Sequence, residues 1–320
     1  MRIMIYGGGA VGLGIASCLL KSGCHVDIIA REDTVHSLRE HGLLRTGIFG
    51  DYSAAPTLFN SFLSLKDMPA QACDYILVCT KSFDSFIAAE NIARHKFLLN
   101  PTTKIVLFQN GWGNAEIFTS FFFKDQIYNA RVITGFSRRS KNEVVVTVHA
   151  DAVHIGSLFG GDVSCVEKLC EFISKGDIPC RTTNEIEKDL WAKMLYNCAL
   201  NSLGAILDVP YGVLAENKSS RFIMDGIVEE VFSVMTTADY KTHWLCAKDF
   251  LEVFYDKLVP DTAEHKSSTL QDIKAKKKTE IDALNGAVIK LAKRYEMNVP
   301  YNLVVYNIIK FIESGESQRI

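Results

Sequence analysis

A run of glycines directly follows the apolar segment RIMIY at residues 2–6. The run spells G-x-G-x-x-G and consists of Gly7, Gly8, Gly9, Ala10, Val11 and Gly12. Between a strand and a helix, the first glycine allows a tight turn and the second lets a diphosphate approach the backbone. The third lets the helix pack closely on the strand, and the helix N-terminus faces the phosphates. The motif therefore predicts a dinucleotide-binding loop.

Apolar runs typical of buried strands alternate with amphipathic helical segments through the first 110 residues. The predicted strands are residues 2–6, 25–30, 75–80 and 104–108, and this alternation indicates βαβ units around a parallel sheet. Residues 143–149 and 152–156 are predicted to extend that sheet with antiparallel strands. After a last short strand at 178–182, apolar residues recur at helical spacing. We therefore predict an α/β domain with a parallel sheet at residues 1–183 and an all-α domain at residues 184–320.

The composition narrows the range of partners and locations. Lys and Arg total 35 against 37 for Asp and Glu, so the formal net charge is −2 and nucleic acid is not an expected partner. No apolar stretch approaches the ~18 residues of a membrane span, which predicts a cytoplasmic protein. The nine cysteines are dispersed without Cys-x-x-Cys spacing, so we expect buried thiols and no metal site.

The end of the second predicted strand indicates which dinucleotide is bound. An acidic residue there would bond the ribose of NAD and repel the extra phosphate of NADP. The segment reads HVDIIAR, which places Asp27 inside the strand and Arg31 at its end. Charge-assisted bonds from a guanidinium to a 2′-phosphate contribute about 1.5–3 kcal/mol. Lys81 follows the strand at 75–80, and it either approaches the same phosphate or is a solvated lysine. We therefore expect NADP(H).

A second group of polar residues lies beyond the glycine loop. Asn110 follows the strand at 104–108, and its Asn-Gly pair is equally typical of a plain turn. Lys193, Asn197 and Asn201 recur every four residues, so they share one face of the helix predicted at 185–207. Asparagines are poor helix formers, which suggests that their amides have a use.

Ser268 and Glu280 have both structural and functional interpretations. Ser268 could cap a helix, and Glu280 could be a helix-dipole partner in the first turn of a helix predicted at 279–294. The lysines between them, at 274–278, are expected to be a solvated run.

Taken together, these motifs resemble the ketopantoate reductase family, which reduces 2-dehydropantoate to pantoate with NADPH on the route to pantothenate and coenzyme A. The resemblance rests on the glycine loop and on five further segments, QNG at 109–111, LWAK at 190–193, NCALN at 197–201, LQD at 270–272 and TEID at 279–282. The chain departs from the family pattern at Gly14, at Trp112 and through 134–146.

The resemblance implies a Rossmann-like domain followed by a helical domain. It also implies that Lys193 and Glu280 are catalytic and that the substrate is bound by Asn110, Lys193, Asn197, Asn201, Ser268 and Glu280. The cofactor is then held by the glycine loop, Arg31 and Lys81, with Asn110 ordering the nicotinamide side or a substrate hydroxyl.

These implications give a mechanistic hypothesis. Hydride arriving at a ketone builds negative charge on the oxygen, which Lys193 could neutralise and protonate. Two alternatives stay open, an NADPH-dependent reductase of a different 2-oxo acid and a non-catalytic NADP-binding redox sensor. We expect a small-molecule 2-oxo acid as partner and leave open whether the chain forms a homodimer.

Overall fold

The computed structural model describes residues 1–315, and the chain groups into two compact units. The sheet unit comprises residues 1–109 and 114–186. Within the described residues, the helical unit comprises residues 110–113 and 187–315. The short segment 110–113 was not predicted to group with the helices. Residues 316–320 of the predicted second domain lie outside the described residues, and the assignment of cofactor and substrate domains stays a prediction.

The sheet unit contains an eight-stranded sheet and a four-stranded sheet. Its strands are β1 (Arg2–Tyr6), β2 (His25–Ile29), β3 (Leu43–Gly47), β4 (Tyr52–Ala54), β5 (Asn60–Phe62), β6 (Tyr75–Val78), β7 (Lys104–Leu107), β8 (Ile127–Arg131), β9 (Thr134–Arg138), β10 (Glu143–His149), β11 (Val153–Gly156) and β12 (Cys180–Thr182). Its helices are α1 (Ala10–Lys21), α2 (Glu32–His41), α3 (Ser85–Arg94), α4 (Asn114–Phe118) and α5 (Ser164–Lys175).

The large sheet has the order β12-β11-β8-β7-β6-β1-β2-β5, and β1 pairs in parallel with both β2 and β6. Strands β1 and β6 are almost wholly apolar and buried, as expected where both faces of a parallel sheet are covered. Strand β11 pairs antiparallel with β8, as predicted. The sheet and its helices confirm the predicted α/β, Rossmann-like fold.

The prediction that residues 143–149 extend the same sheet is wrong. Strand β10 lies in the smaller sheet, which has the order β4-β3-β10-β9. Val144 and Val146 are buried on one face and pack into the core that contains α1, so β10 belongs to a separate layer. A Cβ at Gly14 would lie 2.3 Å from the Phe136 ring of β9. The additional glycine after the loop therefore allows the second sheet to approach α1.

The helical unit is built around a long helix. Its helices are α6 (Ile186–Leu207), α7 (Tyr211–Glu216), α8 (Lys218–Thr237), α9 (Ala247–Val253), α10 (Ser268–Lys274), α11 (Asn285–Arg294) and α12 (Pro300–Glu313). The apolar stripe predicted on α6 is confirmed, because Trp191, Met194, Leu195 and Cys198 are all buried. Between residues 187 and 315 the chain forms helices and no β-strand, as the helical spacing of its apolar residues predicted.

Two further predictions need correction. The helix predicted at 279–294 begins only at Asn285, after a 3₁₀ turn at Ile281–Ala283. Leu284, with φ −103° and ψ −108°, separates the turn from the helix. Five of the nine cysteines are buried, but Cys246 is exposed and three others are partly exposed, so burial is not general.

None of the helices within residues 1–315 has the length and apolarity to cross a membrane. Over the same residues, no group of three or more His, Cys, Asp or Glu side chains is arranged to hold a metal ion.

Candidate functional site

The predicted glycine loop connects β1 to α1 in the sheet unit. Gly7 has φ +121°, and a Cβ there would lie 2.8 Å from the Cys79 carbonyl carbon, so only glycine fits without strain. A Cβ at Gly12 would lie 2.0 Å from the Gly7 carbonyl oxygen. Gly9 differs from both, since the nearest atom to its added Cβ, the Cys79 carbonyl oxygen, is 4.0 Å away. The loop is therefore packed at its two ends and open at its centre.

The first turn of α1 is suited to an anion. Gly9 is the N-cap residue, no side chain caps the helix, and no acidic residue occurs in its first turn, which includes Ala10 and Val11. The first amide groups of a helix have no intrahelical acceptors and carry partial positive charge. Open space at Gly9 and uncapped amides behind it are the features that a diphosphate would use.

Arg31 and Lys81 follow the carboxyl ends of two strands of the same parallel sheet. Strand β1 lies between β2 and β6, and these three parallel strands end at one edge of the sheet. Arg31 is the exposed N-cap residue of α2, just after β2, and Lys81 is the N-cap residue of the 3₁₀ turn that follows β6. Ligands of open α/β sheets collect where neighbouring connections diverge in this way. The cofactor roles of Arg31 and Lys81 stay predictions.

Apart from the adjacent Glu32, the acidic residues nearest to Arg31 in the sequence are Asp27 and Asp33. Asp27 is fully buried in β2 and accepts hydrogen bonds from Arg2 Nε at 2.8 Å and Asn60 Nδ2 at 2.8 Å. It is therefore already satisfied within the core. Asp33 pairs with Lys141, and this hydrogen bond lowers the pKa of the Asp33 carboxyl below its usual value.

Arg138 also contacts the glycine loop, although no motif in the sequence predicted this contact. Its Nη1 donates to the Gly8 carbonyl oxygen at 3.1 Å, and its Nη2 donates to Thr34 Oγ1 at 3.1 Å. Arg138 ends β9, within the stretch where the chain departs from the family pattern. That departure was the only feature of the sequence that singled out the stretch containing Arg138. Arg138 and Gly8 are 130 residues apart, so no local pattern could predict their contact.

In the helical unit, three predicted site residues form one hydrogen-bonded chain. Lys193 Nζ donates to Asn110 Oδ1 at 2.6 Å, and Asn110 Nδ2 donates to Glu280 Oε2 at 3.4 Å. The amide thus turns its oxygen toward the ammonium group and its nitrogen toward the carboxylate. Glu280 is 7% exposed, and Asn110 and Lys193 are partly buried. A cation and a carboxylate are therefore held on the two sides of one amide.

Local backbone geometry places each member of this chain. Lys193 lies on α6, and Glu280 is the N-cap residue of the turn at Ile281–Ala283. The first turn of α11 begins later, so the helix-dipole interpretation of Glu280 is wrong. Gly111 has φ +86°, and a Cβ there would lie 2.3 Å from the Ala283 carbonyl oxygen. This close approach brings Asn110 within reach of Glu280.

Asn197 and Asn201 lie one and two turns after Lys193 on α6. They are 8% and 4% exposed. The Tyr211 hydroxyl donates to Asn201 Oδ1 at 2.5 Å, which leaves the Asn201 amide nitrogen as the donor for another group. Burial raises the pKa of Tyr211 well above its usual value, so its hydroxyl stays protonated as the donor. Tyr211, like Arg138, was not predicted from the sequence.

Ser268 is the first residue of α10. The cap of this helix is Ser267, whose Oγ accepts a hydrogen bond from the Leu270 amide at 3.0 Å. The capping interpretation of Ser268 is therefore wrong, and its predicted contact with substrate stays a prediction.

Comparison with known proteins identifies relatives along nearly the whole chain. A family profile described as ketopantoate reductase PanE/ApbA matches residues 3–160, and one described as ketopantoate reductase PanE/ApbA C terminal matches residues 185–313. A 2-dehydropantoate 2-reductase of Aquifex aeolicus is 32% identical over 97% of this chain and 96% of its own length. One from Pyrococcus abyssi is 28% identical over 100% of both chains.

Solved structures show the same fold. A PanE/ApbA family ketopantoate reductase from Ralstonia eutropha superposes with a TM-score of 0.85 at 26% identity, covering 99% of this chain and 100% of that chain. A ternary structure of D-mandelate dehydrogenase with NADH and anilino(oxo)acetate has a TM-score of 0.87 at 24% identity, covering 98% and 99%. At 24% identity, the similarity to D-mandelate dehydrogenase shows a common fold only.

Proposed function

This chain belongs to the ketopantoate reductase PanE/ApbA family, and from that premise we propose that it reduces 2-dehydropantoate to pantoate with NADPH. Its family is one of oxidoreductases. In the proposed reaction the carbonyl carbon gains a hydride and the carbonyl oxygen gains a proton, while NADPH becomes NADP⁺. The observation that carries the proposal is the hydrogen-bonded chain of Lys193, Asn110 and Glu280.

The sheet unit has the features that a dinucleotide requires. The space at Gly9, which a Cβ would fill, and the uncapped start of α1 fit a diphosphate. Arg31 would bind the 2′-phosphate, and Lys81 would assist at the end of the neighbouring strand. When bound, NADPH supplies the hydride. The glycine loop residues, Arg31 and Lys81 would orient the cofactor.

The helical unit supplies the proton and orients the substrate. Lys193 donates a proton to the oxygen on which negative charge develops, a contribution on the order of 10²–10⁴ in rate. Asn110 holds the Lys193 ammonium through its Oδ1 and is near enough to Glu280 to order a substrate hydroxyl. Glu280 accepts a hydrogen bond from that hydroxyl.

Three further residues would bind the rest of the substrate. Asn197 and Asn201 would hold Lys193 and the substrate from the same face of α6. Ser268 would bind the substrate carboxylate. The Tyr211 hydrogen bond supports the Asn201 role, because it fixes the direction in which the amide nitrogen points.

Replacing Arg31 with alanine tests the preference for NADPH. We expect the Kd for NADPH to rise about 10- to 100-fold, because about 1.5–3 kcal/mol of charge-assisted bonding is lost. The Kd for NADH, which lacks the 2′-phosphate, should be unchanged. Fluorescence titration with both cofactors measures the two constants. Lys66→Ala removes an exposed cation elsewhere in the sheet unit and is the control. Equal changes for the two cofactors would contradict the assignment.

The substrate is tested by following NADPH oxidation optically against a panel of 2-oxo acids that includes 2-dehydropantoate. We expect the highest kcat/KM with 2-dehydropantoate. A clear preference for another 2-oxo acid would replace the substrate but keep the reaction type. Cofactor binding without turnover on any acid would instead favour the redox sensor.

The cellular location and the oligomeric state are also part of the proposal. We place the protein in the cytoplasm, where NADPH and 2-oxo acids are available, and we leave open whether the chain forms a homodimer. Light scattering coupled to size-exclusion chromatography measures the mass in solution, and a monomer would remove the homodimer.

A further inference from the structure

Trp112 has no part in the mechanism described so far, yet it lies two residues after Asn110. Its ring centroid is 4.7 Å from that of Trp191 and 4.8 Å from that of Tyr240. Trp191 is fully buried, and it stacks on Tyr240 with a centroid distance of 5.5 Å. We call these three side chains the aromatic cluster. Aromatic pairs at such distances have a preferred geometry and resist displacement.

The backbone beside Trp112 is held as firmly as its ring. The Trp112 amide donates to the Ala283 carbonyl oxygen at 2.9 Å. Gly111, with its φ of +86°, lies so close to Ala283 that no Cβ could be placed between them. The segment 110–113 is therefore fixed through a side chain at one point and through its main chain at another.

The elements that hold Trp112 are the same ones that carry the proposed catalytic residues. Helix α6 supplies both Trp191, in the aromatic cluster, and Lys193. The turn at Ile281–Ala283 supplies the acceptor for the Trp112 amide, and its N-cap residue is Glu280. Any shift of Trp112 relative to these elements would also shift Asn110, which bonds to Lys193 and Glu280.

We propose that Trp112 is a positioning residue, which through the aromatic cluster fixes the Asn110 amide between Lys193 and Glu280. The expected kinetic effect rests on the proposed function, whereas the positioning of Asn110 by Trp112 does not depend on it. Asn110 contributes to catalysis only while its oxygen faces the ammonium group. A misplacement of about 1 Å can cost on the order of 100-fold in rate.

The kinetic test uses Trp112→Leu and Trp112→Phe. We expect Trp112→Leu to lower kcat about 10- to 100-fold, with less than about a threefold change in KM, because the proton donor is misaligned while most substrate contacts remain. Trp112→Phe keeps a ring against Trp191 and should retain at least about a third of the wild-type kcat. The matched control is Trp244→Leu, which removes an indole packed against Phe250 in the same unit. We expect it to lower Tm without changing kcat.

A double-mutant cycle with Asn110→Ala separates positioning from general stability. If Trp112 acts through Asn110, Trp112→Leu should cost almost nothing further once Asn110 is alanine. Additive losses in the double variant would overturn the proposal. So would a Trp112→Leu enzyme whose kcat stays within twofold of the wild type.

A measurement that does not depend on turnover tests the role of Trp112 even if the proposed function is wrong. In protein labelled with ¹⁵N-asparagine, the side-chain amide signal of Asn110 is assigned by its loss in Asn110→Ala. We expect Trp112→Leu to shift or broaden this signal and Trp244→Leu to leave it in place. If the wild type reduces no 2-oxo acid, the proposed function fails while this signal still decides the role of Trp112. An unaltered Asn110 signal in folded Trp112→Leu would overturn that role.

Discussion

Replacing Lys193 with alanine is expected to lower kcat by about 10²–10⁴ while leaving the Kd for NADPH within about twofold of the wild-type value. Lys193 is the cation that Asn110 holds by a 2.6 Å hydrogen bond, and the dinucleotide features belong to the sheet unit. The variant loses the group that neutralises and protonates the developing alkoxide. Steady-state kinetics and a cofactor titration measure the two effects separately.

A matched lysine distinguishes this effect from a general loss of positive charge. Lys290 is an exposed lysine on α11 of the same unit, and Lys290→Ala should keep wild-type kcat. Asn110→Ala and Glu280→Gln should each lower kcat by less than Lys193→Ala, because both keep the ammonium group. If Lys193→Ala retained wild-type turnover, Lys193 would have no place in the mechanism.

The second large effect is expected from Gly9→Ala, which should raise the Kd for both NADPH and NADH about 100-fold with a change in Tm of only a few degrees. Gly9 has φ −81° and ψ −172°, a conformation that alanine adopts readily, and an added Cβ meets no protein atom closer than 4.0 Å. The new methyl group would instead occupy the space that the diphosphate needs. Calorimetric titration and thermal unfolding measure the two quantities.

Two other glycines serve as controls for this experiment. Gly12→Ala places a Cβ 2.0 Å from the Gly7 carbonyl oxygen, so it should lower Tm as well as cofactor affinity. Gly23 has φ +81° with open space around it, so Gly23→Ala should cost about 1 kcal/mol of stability and leave cofactor affinity unchanged. Wild-type cofactor affinity in Gly9→Ala would mean that the loop does not bind the diphosphate.

The sheet unit was largely predictable because its signals are local. The glycine spacing after an apolar run specifies a strand, a tight turn and a helix within about 20 residues. The family resemblance drawn from short motifs is confirmed by profiles that match residues 3–160 and 185–313. Strand β10 was assigned to the wrong sheet because a run of β-branched residues indicates a strand without showing which sheet it joins.

The contacts within the candidate site were less predictable because they join distant parts of the chain. Helical spacing put Lys193, Asn197 and Asn201 on one face, but it could not show that Asn110, 83 residues before Lys193, would bond to its ammonium group. The start of α11 at Asn285, after a separate 3₁₀ turn, depends on the backbone of Leu284, which no motif in the sequence indicated. Arg138 and Tyr211 were missed since neither occurs in a recognisable motif.

Transfer of deuterium from NADPH to the product tests the central claim most directly. NADPH labelled with deuterium at C4 of the nicotinamide, on the face from which the hydride is removed, is incubated with the wild-type protein and 2-dehydropantoate, and the product is analysed by mass spectrometry. Labelling each face in turn identifies the one that is used. We expect pantoate carrying one deuterium at C2, with one equivalent of NADP⁺ formed for each pantoate. Absence of NADPH oxidation, or pantoate without deuterium from either labelled cofactor, would contradict the account.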